Sequence, residues 1–307
     1  MRPFGLADGA DGADGADGAD GASGAAGSGM GKSPVIRPIG VSPALTKRPN
    51  EDWFRGNKWP PADLAVPFVN DLTAASFPYW AWSAYHFSFV GLTEFVQQPG
   101  WNTIPVLANV PIPAGQYLTN ELTELQELMD YRPAVMAEAL AQLSNLAVYW
   151  SGLFMFNKAS HPATWRLAQV ALRVAQFQAM YYKFNPGPAP LKPRPRPSQL
   201  SPSLMPPIDV PGHASYPSGH ATESYLLAGM LAEVMPQEAS TETTAGDADS
   251  TPLRRLAERV ARNREVLGLH YPSDSKAGKY IADHSLPLLL NCPSVQYLKP
   301  IARQEWP

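Results

Sequence analysis

Val210-Pro-Gly-His-Ala-Ser-Tyr-Pro-Ser-Gly-His-Ala-Thr-Glu223 is the stretch on which the reading of this 307-residue chain turns. Pro217 suits the first turn of a helix, Ser218 supplies a hydroxyl, and Gly219 lets another backbone or a ligand approach closely. A helix opening there presents amides and a hydroxyl beside the His220 imidazole, which is the chemistry of an anion site the size of phosphate. Short Pro-Ser-Gly runs are by themselves turns, so the flanking chain has to supply the meaning.

Downstream, a helix is expected from His220 to about Met235. Residues 236 to 250 are acidic and small and are expected as an exposed loop. Thr251 as cap and Pro252 at the first position then start another helix. Leu253, Leu256, Ala257, Val260 and Leu267 form its apolar stripe, and Arg264 falls on the same face, where a buried arginine calls for an anionic partner. Arg255, Arg259 and Arg262 point elsewhere and read as a solvated face. His270 follows, then Asp274 four residues on, and a last helix from about Ser273 to Leu290.

Upstream, residues 184 to 216 carry ten prolines, including Lys192-Pro-Arg194-Pro-Arg196-Pro197, and read plainly as an extended linker with solvated charges. Asp209 and His213 read as turn residues that could also shape a substrate mouth. Three helical patterns precede the linker: Leu118 to Tyr131, Pro133 to Phe156, and Pro162 to Lys183 with Leu167, Val170, Ala171, Val174 and Phe177 in one stripe. Residues 98 to 117 read as a loop or short hairpin. Asp71 to Gln97 reads as buried and helical with a break at Pro78, and His86 as a core residue. His161 and His284 read as structural.

The expected fold is therefore mainly α, a single helical-bundle domain over residues 46–307 behind a disordered, low-complexity tail over 1–45. In that tail a glycine recurs every third residue from Gly9 to Gly27 without the prolines a collagen-like helix needs. The P-loop-like run at its end, Gly31-Lys32-Ser33, lacks a preceding strand and reads as accidental. Residues 34 to 70 read as an irregular, tryptophan-containing arm.

Composition narrows the function classes. A hydrophobic share of 45% supports a substantial core, and a formal net charge of -3 argues against a duplex nucleic-acid binder. Cys292 is the single cysteine, which excludes an intrachain disulfide framework. The longest apolar region, Met136 to Phe156, is interrupted by polar residues, so no transmembrane segment is expected. The N-terminus lacks the apolar run of a secretory signal, which makes the cytoplasm the default expectation.

Lys and Arg before Pro, then Pro217-Ser-Gly-His220, then Arg264 with five residues to His270 and three more to Asp274, form an ordered set. Together they resemble the type 2 phosphatidic acid phosphatase superfamily, which includes soluble bacterial acid phosphatases and vanadium-dependent haloperoxidases. The resemblance covers roughly residues 120 to 290 and is close in the second and third motifs. The first departs from the family spacing of lysine seven positions before the arginine. Here Lys183 precedes Arg196 by thirteen, as if residues such as Pro186 to Pro190 were inserted, and Lys192 precedes it by four. Arg196 with Lys183 is the preferred assignment, with Arg194 and Lys192 remaining candidates.

The resemblance implies a phosphoric monoester hydrolase with a phosphohistidine intermediate. His270 would be the nucleophile, Asp274 its orienting carboxylate, and His220 the acid and then the base. Lys183, Arg196, Arg264, Ser218 and Gly219 would bind the phosphoryl oxygens. That route requires no metal or other cofactor, and its substrate is a small phosphorylated molecule. In the haloperoxidase alternative the same cage holds vanadate, with His270 as its axial ligand and peroxide and halide as substrates. A third reading is a non-catalytic phosphate-binding or scaffold protein, motivated by the altered lysine spacing.

Overall fold

The computed structural model describes residues 82–185 and 193–307, which are helical with no strand among them. The tail, the arm, the P-loop-like run, the start of the domain at residue 46 and Lys192 all lie outside the described residues. The mainly α expectation holds.

Helix α1 (Ala84–Phe95) is capped by Ser83, whose hydroxyl accepts from the His86 amide. Its buried positions are Phe87, Ser88, Gly91 and Phe95, so His86 falls one residue off the stripe and is exposed, not a core residue. The hairpin considered for 98–117 is instead a coil with one helical turn, α2 (Val106–Asn109). Helix α3 (Gln116–Leu128) runs on through a 3-10 turn to Tyr131, as the apolar spacing predicts.

The continuous helix expected from Pro133 to Phe156 is two, α4 (Arg132–Ser144) and α5 (Leu146–Phe154). Asn145 breaks it with φ -166° and ψ 107°, because its side chain accepts from the Val148 amide and caps α5. Helix α6 (Pro162–Phe184) matches its pattern. After it come α7 (Pro197–Leu200), α8 (Gly219–Ala232), α9 (Gln237–Ser240), α10 (Pro252–Val266), α11 (Pro272–Leu290) and α12 (Pro293–Arg303).

Within 236–250 the chain is largely exposed, yet Asp249 pairs with Arg254 and Lys279, which pins the loop to α10 and α11. Arg262 is also paired, with Glu124 and Glu265, where a bare solvated face was expected. Sequence reading missed α12, whose stripe of Val295, Leu298 and Ala302 is buried against α6 and α1.

Helix α8 is the centre. Every residue from Gly219 to Leu231 is buried, because α6, α10 and α11 pack around it, so the sequence there shows no polar face. Among the described residues no helix is long and apolar enough to cross a membrane.

Two glycines allow α11 and α8 to approach. A methyl built on Gly278 would meet the Ser218 carbonyl oxygen at 2.7 Å, Ala221 Cβ at 2.8 Å and the Thr222 amide nitrogen at 2.9 Å. One on Gly229 would meet only the end of the Leu286 side chain, at 2.6 Å, which can turn away. Gly278→Ala is therefore expected to destabilise the fold by about 2–3 kcal/mol through overpacking against backbone. Gly229→Ala should stay within about 1 kcal/mol of the parent, since alanine's helix propensity offsets the repacking. Urea denaturation of both variants checks the difference.

Candidate functional site

Helix α10 ends so as to deliver His270. Gly268 stands at φ 74°, the left-handed region, where the Gly268 amide donates to the Glu265 carbonyl and the Leu269 amide to the Arg264 carbonyl. This is the paired closure that a glycine at the C-terminal cap permits. Arg132 on α4 clamps the same turn from outside, donating from Nε to the Val266 carbonyl and from its two Nη to the Met205 and Leu204 carbonyls. The chain leaves the turn at His270 and enters α11 two residues later.

Asp274, in the first turn of α11, collects the site around its carboxylate and is fully buried. Oδ1 accepts from Arg194 Nη1 at 2.6 Å. Oδ2 accepts from Ser215 Oγ at 2.5 Å, from the Tyr271 amide at 3.1 Å and from His270 Nδ1 at 3.2 Å. Burial by itself raises the pKa of Asp274, but the His270 hydrogen bond, the Arg194 charge and the Ser215 hydroxyl outweigh it and hold the carboxyl well below the usual range. The stabilisation linked to that depressed pKa is complete above the unfolded value of about 4 and is lost as the pH falls below it.

These contacts fix the His270 tautomer. An ionised carboxylate only accepts, so Nδ1 carries the proton. Nε2 then holds the lone pair, and its neighbour agrees: Arg196 Nη1, a donor only, lies 3.0 Å away. Nδ1 is anchored and Nε2 is presented to a guanidinium, which is the arrangement of an oriented nitrogen nucleophile or axial ligand.

The two arginines of the proline-rich run have separate tasks, and neither is a solvated linker charge. Arg194 is a structural counter-ion: besides Asp274 it bonds Glu121 at 2.8 Å and Ser273 Oγ at 2.7 Å, with its guanidinium carbon 3.6 Å from the centre of the Tyr271 ring. Arg196 faces His270 Nε2. Its Nη1 also donates to the Leu269 carbonyl, its Nε to the His213 carbonyl, and its Nη2 to His213 Nδ1. Of the arginine candidates, Arg196 is the one against His270 Nε2.

Lys183, at the end of α6, is buried and donates to the Ala214 carbonyl at 2.8 Å and the Ser215 carbonyl at 3.3 Å. It supports the loop that leads into α8. The Ser218 amide donates to the Asp274 carbonyl, so that amide is engaged by protein, and the Ser218 hydroxyl caps α8 at the Ala221 amide. Gly219 and His220 hold the first amides of α8, which have no carbonyl partner within the helix itself. His220 is buried on α8 beside this junction.

Arg264 lies on the buried face of α10, as its stripe position predicts. Its Nη2 donates to the Ala139 carbonyl at 2.6 Å and to Gln142 Oε1 at 3.1 Å on α4. The network therefore brings together Lys183, Arg194, Arg196, His213, Ser218, His270 and Asp274. Arg264 joins through its carbonyl on Leu269, and His220 through the start of α8.

Sequence reading missed Ser215, Glu121 and Ser273, the polar partners around Asp274. Ser215 lay inside the opening stretch, two residues from His213, and its hydroxyl was the available signal. Beside the network a cavity of about 650 Å³ is lined by Arg196, Gln199, His213, Ala214 and the rings of Pro193 and Pro195 among others. Among the described residues no group of three or more His, Cys, Asp or Glu side chains is placed to hold a metal ion. No protein-family model and no curated protein matches the chain.

The division between the arginines has a measurable consequence. Arg194→Met leaves a buried carboxylate without its counter-ion and should destabilise the protein by about 3–5 kcal/mol at neutral pH. Arg196→Met should cost less than half of that, because it faces carbonyl oxygens and two imidazole nitrogens and no carboxylate is left buried without its counter-ion. Denaturant titration of the two variants gives the order, and the reverse order would contradict the assignment.

Proposed function

We propose that the protein is a phosphoric monoester hydrolase that works through a phosphohistidine on His270, as the resemblance to the type 2 phosphatidic acid phosphatase superfamily implies. The observation that carries this reading is the His270 imidazole itself, with Nδ1 on the Asp274 carboxylate and Nε2 against Arg196 Nη1 at 3.0 Å.

In this mechanism the phosphoryl dianion of a small substrate accepts the Arg196 N–H that now covers Nε2. Binding thus draws the guanidinium onto the substrate and uncovers the lone pair in one movement. Nε2 attacks phosphorus and the ester P–O bond breaks, while Asp274 stabilises the positive charge that forms on the ring. His220 gives a proton to the leaving oxygen, then takes one from the water that cleaves the N–P bond, which returns His270 and releases inorganic phosphate. The first amides of α8 at Gly219 and His220 supply positive potential where charge builds on the phosphoryl oxygens, to which the resemblance adds Arg264 and Lys183.

The same donor set would hold vanadate, with the oxyanion donors on its oxygens and His270 Nε2 supplying the nitrogen that binds it. Vanadate therefore serves as inhibitor in the hydrolase reading and as cofactor in the haloperoxidase one, and the two are separated by assay.

The purified protein should hydrolyse p-nitrophenyl phosphate with inhibition by vanadate, and His270→Ala should lose at least roughly 10³-fold in kcat/KM. His220→Ala should lose about 10²-fold or more on an alkyl phosphate, and less on p-nitrophenyl phosphate, whose leaving group needs little protonation. Halide oxidation by the vanadate-loaded protein without phosphatase activity would reject the hydrolase reading.

A further inference from the structure

His213 is half-buried on the wall of the cavity beside Arg196 and holds that arginine in two ways. Its carbonyl accepts from Arg196 Nε at 3.1 Å, and its ring Nδ1 lies 3.1 Å from Arg196 Nη2. The same Nδ1 lies 3.2 Å from the Ala214 carbonyl oxygen. The two ring contacts require opposite states of Nδ1. Toward Arg196, which only donates, Nδ1 must present a lone pair, and toward a carbonyl it must present a proton.

We propose that His213 is a positioning residue that sets whether Arg196 covers the His270 nucleophile or turns to the substrate's phosphoryl group. This rests on the hydrolase reading given above. With Nδ1 bare, Nη2 is held at His213 and Nη1 lies across His270 Nε2. With Nδ1 protonated, the ring turns its N–H to the Ala214 carbonyl, repels the guanidinium and releases Nη2 toward an incoming dianion. The carbonyl contact to Nε persists in both states, so the arginine pivots about a fixed point.

Among the described residues the charged groups that face this switch include Lys183, whose ammonium donates at 2.8 Å to the same Ala214 carbonyl. Arg196 contacts it directly from the segment before α7, and Arg194 shares the cavity wall but is neutralised by Asp274 and Glu121. Beyond Arg196 stand His270 and Asp274 at the start of α11. Asp209, four residues earlier in the chain, is exposed. No carboxylate is among the described residues that line the cavity. Protonation of His213 therefore adds its charge beside Arg196 and near Lys183, which makes the cavity more attractive to a dianion as the pH falls.

The test is the pH dependence of tungstate binding, followed by calorimetry on the full chain at pH 6 and pH 8, where tungstate keeps its charge. The parent should bind about tenfold more tightly at pH 6, the size of one charge-assisted hydrogen bond. His213→Asn keeps an acceptor but cannot titrate, and should bind weakly at both pH values. His213→Ala has neither acceptor nor charge, and should bind without a pH step and more tightly than His213→Asn at both. The KM for p-nitrophenyl phosphate should follow the same pattern while kcat changes less than KM. If either variant keeps the parent's pH step, His213 does not govern Arg196. If the parent binds no tungstate at either pH, the oxyanion reading fails and takes this proposal with it.

Discussion

A carboxylate with no access to water sits at the junction of every segment that matters here, and Asp274 can remain ionised there only because its neighbours replace the lost solvent. Arg194 supplies the countercharge, while Ser215, the Tyr271 amide and His270 Nδ1 supply donors. These donors come from three different parts of the chain. The proline-rich run, the loop before α8 and the turn after α10 must all close on one side chain, so the fold and the site share a single electrostatic requirement. Glu121 extends it to α3 by bonding Arg194 and the Ser273 amide at the start of α11.

The same requirement explains why the His270 ring is already oriented. A histidine whose Nδ1 proton is claimed by a buried carboxylate need not reorganise before Nε2 is used, and preorganised dipoles of this kind supply much of the rate in enzymes. The two arginines divide the work that a single cation could not do. Arg194 is spent on Asp274, stacked on Tyr271 and closed in. Arg196 is bound to carbonyls and to imidazole nitrogens, acceptors that a phosphoryl dianion can outcompete. Gly278 adds the last constraint by letting the Ser218 backbone reach the Asp274 carbonyl, which sets the first turn of α8 against the first turn of α11.

The helical fold was legible because apolar spacing records burial directly, as in the stripes of α6 and α10. Helix α8 was found from its start signal and not from its period, since a helix surrounded on all sides has no polar face. Asn145 interrupted a continuous apolar pattern by a local cap that periodicity does not register. At the site, Pro217 to His220 and Arg264 to Asp274 were visible because their spacing is local to one helix start or one helix end. Arg196 was the preferred arginine, but the separate task of Arg194 was not visible, because two arginines in alternating Arg-Pro steps differ only in what the rest of the chain brings to them. Glu121, more than 150 residues from Asp274 in sequence, lay beyond any local pattern.

The most direct test of the nucleophile is to trap it. In His220→Ala the attack on phosphorus would proceed with a good leaving group while the base for hydrolysis is missing, so the intermediate should accumulate. Rapid quenching of this variant with p-nitrophenyl phosphate at alkaline pH, followed by peptide mass spectrometry, should place an acid-labile phosphoryl group on His270. Burst release of p-nitrophenol with no phosphoryl group on His270, or with the group on another residue, would contradict the assignment of Nε2 as the attacking atom.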